Sequence, residues 1–171
     1  MSGKISDNLG RSSGLIKGAS AGMSDLRPYF KSYCSTNVVT SNATWTLVTF
    51  DDNHSDVGGT YDEDNSRWTP GEEGVYLIIA QIHLAWASGV SDYLHVGLCK
   101  NGSTSRAAGG LIIGRDSAGA AKTSPNTLAI GLMDLDGDDY VECRIYQTSG
   151  GAADVDAGDY EKNYFEAFKI A

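Results

Sequence analysis

Between Phe50 and Tyr76 the chain carries Asp51, Asp52, Asp56, Asp62, Glu63 and Asp64 among glycines and turn residues. Carboxylates at this density can do two kinds of chemistry. Several converging on one point can hold calcium, which takes about six to eight oxygen ligands. Two in contrasting surroundings can serve as general acid and general base. Nothing in the spacing sets two of these carboxyls apart, so acid–base catalysis has no support. The reading taken is that they are unpaired loop carboxylates that keep the surface soluble. Calcium held by Asp51, Asp52, Asp56, Asp62 and Asp64 is the alternative.

The other chemical motifs are weaker. Asp134, Asp136 and Asp138 in LMDLDGDDY imitate a calcium loop. The terminal glutamate in register is missing and the stretch lies between two β-rich runs, which excludes an EF-hand and predicts a tight hairpin. GRSSG at Gly10 to Gly14 satisfies GxSxG, but a nucleophile elbow needs a strand before it and a helix after it. His54, His83 and His95 share no metal-ligand spacing. His83 and His95 fall in predicted strands and could meet across a sheet, but are read as satisfied or exposed histidines. Cys34, Cys99 and Cys143 form no CxxC and read as free buried thiols. The sequons at Asn42, Asn53 and Asn101 are read as accidental. No catalytic residue, metal or cofactor is therefore expected, and no enzyme.

What must position these residues is a sheet-rich domain. A chain of 171 residues suits one domain and can bury roughly 70% of its unfolded surface. Its 21 glycines and 3 prolines imply many turns. A net charge of −9 disfavours both nucleic acid and anionic membranes as partners. Residues 1–28, Gly/Ser-rich and ending at Pro28, read as an arm that could reach roughly 90 Å when extended. Without an apolar signal core or a membrane span, the product is expected to stay where it is made or to leave by assembly or lysis.

From residue 29 to 171, strand signals alternate with turns. TWTLVTF at Thr44 to Phe50 alternates, and VYLIIAQIHLAW at Val75 to Trp86 is apolar enough for a strand covered on both faces. DYLHVGLCK places Leu94, Val96 and Leu98 on one face and runs into the hairpin signal Asn101-Gly102. LAIGLMDL at Leu128 to Leu135 continues the pattern. In DYVECRIYQ, Val141, Cys143 and Ile145 share the core face, with Tyr140 and Tyr146 opposite. The closing NYFEAFKI is apolar enough for a central strand. Without helical periodicity, the class is an all-β sandwich or barrel. Gly74 after two glutamates suggests a turn with positive φ.

The same residues carry a resemblance. Phe50, Asp56, Tyr61, Trp68, Gly74 and Tyr76 form a spaced aromatic ladder that resembles the globular heads of complement component 1q and its tumour-necrosis-factor-like relatives. KNG at Lys100 to Gly102 is similar to that family's central hairpin. LDGDDYVECRIYQTSG is similar to its Leu-x-x-Gly-Asp-x-Val element, with Asp138 where glycine is usual. YFEAFKI looks like its closing Phe-x-Gly-Phe strand, with Phe165 and Phe168 expected to join the core ladder and Ala167 replacing glycine. Trp68 stands where phenylalanine is usual, and Ile78 and Ala80 replace aromatics. The match covers about residues 35–171.

The resemblance implies a jelly-roll sandwich, a homotrimer, and in some relatives calcium near the three-fold axis. Tyr140 and Tyr146 are candidates for the trimer interface. Heads of this kind recur among bacteriophage structural proteins, which leads to a virion protein made in the host cytoplasm. The specific expectation is a capsid decoration (cement) protein on the major capsid protein, anchored through Leu9, Arg11, Leu15, Ile16 and Leu26. The alternative is a receptor-binding tip of a tail or fibre, meeting a host surface receptor through Ser149 to Asp159.

Overall fold

Alternating inward and outward side chains make strands the dominant element from Pro28 onward. The computed structural model describes residues 28–58, 60–85, 92–107, 110–118, 125–157 and 162–171. The strands are β1 (Tyr29–Tyr33), β2 (Val38–Thr40), β3 (Thr46–Leu47), β4 (Asp52–Val57), β5 (Thr60–Asp62), β6 (Arg67–Thr69) and β7 (Gly74–Ala85). They continue with β8 (Asp92–Lys100), β9 (Leu111–Ala118), β10 (Asn126–Leu135), β11 (Val141–Gln147), β12 (Ala153–Val155) and β13 (Tyr164–Lys169). The first sheet runs β2-β12-β7-β13-β1-β4, with β10 on the other side of β7. The second runs β5-β6-β11-β8-β9, with β3 also on β11. The strand pairs are antiparallel. The closing β13 is central, between β7 and β1.

The aromatic ladder fills the space between the sheets around Phe30. That ring stacks on Tyr61 at 5.1 Å and Trp68 at 5.0 Å, and meets Phe165 edge-on at 4.7 Å. Trp68 meets Tyr76 at 5.3 Å, and Phe50 meets Phe165 at 5.5 Å. The Tyr61 hydroxyl donates to the Phe50 carbonyl at 2.8 Å, which satisfies the polar end of a buried ring.

Two ladder positions differ from the sequence reading. Phe168 is 39% exposed and does not belong to the core. Strand side chains alternate with period two, so residues three apart cannot share a face; Phe165 and Ala167 point inward and Phe168 outward. Gly74 has no positive φ; the turn before it uses Gly71, at φ 74°. Glycine is needed at 74 for close approach, because an added Cβ would lie 2.5 Å from Lys169 Cε and 2.6 Å from the Ala171 carbonyl oxygen.

The acidic stretch is not simply loop. Asp52 and Asp56 lie within β4, Asp62 ends β5, and only Asp51, Glu63 and Asp64 fall outside strands. Pairing with β1, through a register shift between Lys31 and Ser32, overrides the weak strand preference of Asp and Asn. LDGDDY is not a hairpin either, since β10 and β11 belong to different sheets. Asn101 and Gly102 do make a turn, at φ 51° and 71°, closed by the Ser103 amide donating to Lys100 at 3.0 Å. The chain then takes until Leu111 to begin β9.

Asp139 ties these two turns together. Its carboxylate accepts from Asn101 Nδ2 and from the Asp136 amide, each at 2.7 Å, and pairs with Lys100. Burial would raise its pKa, but the bonds from Lys100, Asp136 and Asn101 hold it below the ordinary carboxylate value. Asp139→Asn is expected to cost about 1.5–3 kcal/mol in urea unfolding at pH 7. A depressed folded-state pKa contributes stability above the unfolded pKa and loses it as pH falls through the folded one. The gap between wild type and variant should therefore close below about pH 4.

Candidate functional site

Burying one face of the first sheet leaves an apolar face outside. In β10, Thr127, Ala129, Met133 and Leu135 are buried, while Leu128, Ile130 and Leu132 are 46%, 52% and 57% exposed. Antiparallel register aligns these residues with their neighbours in three rows. One row runs Leu132, Leu77, Phe168, Tyr29. The next runs Ile130, Ile79, Glu166, Lys31, and the third runs Leu128, Gln81, Tyr164, Tyr33. The rows are apolar or aromatic except for Gln81 and the Lys31–Glu166 pair, whose charges are 3.1 Å apart. Lys31 also lies over the Tyr164 ring at 4.9 Å and the Tyr33 ring at 5.4 Å. Burial works against its charge, and the Glu166 carboxylate more than offsets this, so the ammonium pKa is raised. Between Tyr29, Lys31, Ser55, Glu166 and Phe168 the face carries a concavity of about 400 Å³. A surface this apolar and continuous has the character of a subunit contact.

No protein-family model matches the sequence, and no curated protein matches it significantly. Solved structures do match. Murine APRIL at pH 5.0 superposes with a TM-score of 0.62 at 13% identity, over 84% of this chain and 99% of that one. The globular domain of zebrafish complement 1qA gives 0.57 at 17% identity, over 85% and 98%. Eiger TNF from S. frugiperda gives 0.57 at 15% identity, over 85% and 92%. The chain has the tumour-necrosis-factor and complement-1q jelly-roll fold. At these identities the likeness shows the fold alone.

On this jelly roll the predicted site residues separate. The expected anchoring positions Leu9, Arg11, Leu15, Ile16 and Leu26 lie outside the described residues. Asp51 accepts the Ser35 amide at 2.6 Å, Asp56 the Tyr61 amide at 2.7 Å, and Asp62 pairs with Asn65 and Arg67. Among the described residues no group of three or more His, Cys, Asp or Glu converges to hold a metal. His83 and His95 do not meet: β7 and β8 belong to different sheets, and both side chains are on the faces turned away from the core. His83 instead lies 3.6 Å from Asp156. Cys34, Cys99 and Cys143 are free and buried, and burial pushes the Cys34 and Cys99 thiols up to about 12.

Tyr146 lies in β11 of the second sheet and Tyr140 immediately before it, neither on the apolar face. Arg67 covers the Tyr140 ring at 5.0 Å, and Tyr146 packs against Trp45 at 5.5 Å. The signal that points to the first sheet is an inversion of size. Small Ala80 and Ala129 face inward as register partners while leucine and isoleucine face outward. Small inward residues leave room for the ladder aromatics. Large outward ones add nothing to that core.

Proposed function

We propose that this chain is a non-enzymatic structural head that trimerises through its first sheet and serves on a virion, as a bacteriophage capsid decoration protein. The observation that carries the assembly is the three-row apolar face. Its exposed knobs on β10 and its concavity beside β1 and β13 are different surfaces of one protomer. A contact of knob into concavity is heterologous and closes into a ring when repeated about a rotation axis; the jelly-roll likeness favours three. The virion setting draws on the arm, whose Leu9, Arg11, Leu15, Ile16 and Leu26 offer handles for the major capsid protein. Three arms per head would multiply a weak contact into avid binding.

Sedimentation equilibrium should return three times the 18.1 kDa chain mass. A monomer at micromolar concentration would sink the assembly. Deleting residues 1–27 should leave the trimer intact and abolish its binding to capsids; retained binding would remove the arm's role. Gold labelling of whole particles should decorate the head lattice. A second reading, a receptor-binding tip, draws on Tyr93, which is 57% exposed and bonded to Thr148 next to Ser149. Label confined to the tail would select it.

A further inference from the structure

The outer face of the second sheet carries a group of rings that neither the core nor the proposed assembly uses. Leu94, Val96 and Leu98 point into the core, so Tyr93 and His95 point out. His95 stacks on Tyr146 at 5.8 Å with an interplanar angle of 25°, and Tyr93 lies 6.1 Å from His95. Trp45 extends the group, 5.5 Å from Tyr146 and 6.5 Å from His95. A Cβ added at Gly97 would lie 2.9 Å from the Trp45 ring, so the sheet surface is cut away to let the indole lie upon it. Tyr93 is held at both backbone groups: its amide donates to Thr148 Oγ1 at 3.0 Å and its carbonyl accepts the Thr148 amide at 3.2 Å.

Two cations border the rings. Arg115 is the cross-strand partner of His95 and is exposed; Arg106, also exposed, approaches from the segment before β9. Among the described residues neither guanidinium has an ion-pair partner. Burial first, then Arg115 and Arg106, lower the His95 pKa, which keeps the imidazole neutral and ring-like near pH 7. In a chain of net charge −9, two guanidiniums beside a fixed aromatic platform form a local exception.

We infer that Trp45, Tyr93, His95 and Tyr146, with Arg106 and Arg115, form a binding surface for an acidic saccharide. The C–H face of a pyranose packs on an aromatic ring, and a guanidinium grips a carboxylate or sulfate in two parallel hydrogen bonds. Rigid aromatic side chains supply such contact at low entropic cost. A nucleic acid would meet too few cations for the protein's overall charge. An acidic peptide would use the arginines but leave the platform empty. The surface does not depend on the particle that carries the protein.

The test is calorimetric titration of the full-length protein with tetragalacturonate, a heparin tetrasaccharide, neutral maltotetraose and tetraglutamate. At least one acidic saccharide should bind, and maltotetraose and tetraglutamate should each bind at least about tenfold more weakly. Tyr93→Ala and Arg115→Gln should each weaken the acidic saccharide about tenfold, while Lys162→Ala, beside the first sheet, should change nothing. Tyr93 and Arg115 are exposed, so both variants should keep the wild-type melting curve. The uronate and heparin arms show whether carboxylate or sulfate is read. No binding of either at millimolar concentration overturns the inference. So does binding that survives both substitutions, equal binding of tetraglutamate, or a change of oligomeric mass in Tyr93→Ala.

Discussion

Glutamate at Ile130 and Leu132 is expected to leave a folded monomer. Both side chains are more than half exposed in the protomer, so the substitutions remove nothing from the core. Surface changes of that kind usually stay within about 0.5 kcal/mol of wild type in protomer stability. In a subunit contact the same changes act twice. Each aliphatic side chain no longer buried forfeits about 1.5–3 kcal/mol. Each glutamate must also be desolvated beside Leu77 and Ile79, its register neighbours on β7, with no cation opposite in its own row at 132. A loss of about 4 kcal/mol per contact raises the dissociation constant roughly a thousandfold. Sedimentation at micromolar concentration, with circular dichroism to show an intact sheet signal, would read both halves of the result. A double variant that remained trimeric would place the subunit contact elsewhere.

Phe30→Ala should be the most damaging single truncation in the protomer. Phe30 touches Tyr61, Trp68 and Phe165, and so connects ladder residues from both sheets. Removing a buried ring of this size costs about 3–5 kcal/mol. For a domain of this length that lowers the melting temperature by about 10 °C. Phe168→Ala is the informative contrast, because its ring lies outside the core. In the monomeric Ile130→Glu, Leu132→Glu background it should change stability by less than about 0.5 kcal/mol. In the assembled protein it should shift the melting temperature in a concentration-dependent way. Equal effects of the two truncations in the monomer would contradict the division of inner and outer faces.

The sheet architecture was legible because strand alternation and glycine-rich turns are local signals. The ladder from Phe50 to Tyr76 was legible through its spacing. Phe30 was missed: it lies just after the Gly/Ser-rich stretch that ends at Pro28, and its inward direction is fixed by pairing with Ala167, far along the chain. The Lys31–Glu166 pair was hidden for the same reason. Tyr140 and Tyr146 were read as outward aromatics, which a single strand suggests, but no local pattern shows that Arg67 lies over the one and Trp45 packs beside the other. The apolar face was visible in part, since β7 reads as a strand covered on both faces. Which element supplies the second cover is a property of the assembled sheet and not of any one strand.

Much of the charge on the acidic stretch falls at two sheet edges. Among the described strands β4 ends the first sheet and β5 ends the second, so each has an edge that no strand covers, side chains capping it in places, as Asp56 does the Tyr61 amide. Unprotected edges recruit strands from other molecules and grow into aggregates. The carboxylates of Asp51, Asp52, Asp62, Glu63 and Asp64 lie along or next to those edges, where an approaching copy would bring the same charges against them. At the opposite end, β9 and β10 close on each other so tightly that a Cβ on Gly114 would fall 2.0 Å from the Leu128 carbonyl oxygen. One side of the sandwich is thus sealed by backbone and the other guarded by charge. A second copy approaching edge to edge would meet that charge first, whereas the apolar face outside the first sheet carries no such guard beyond the Lys31–Glu166 pair.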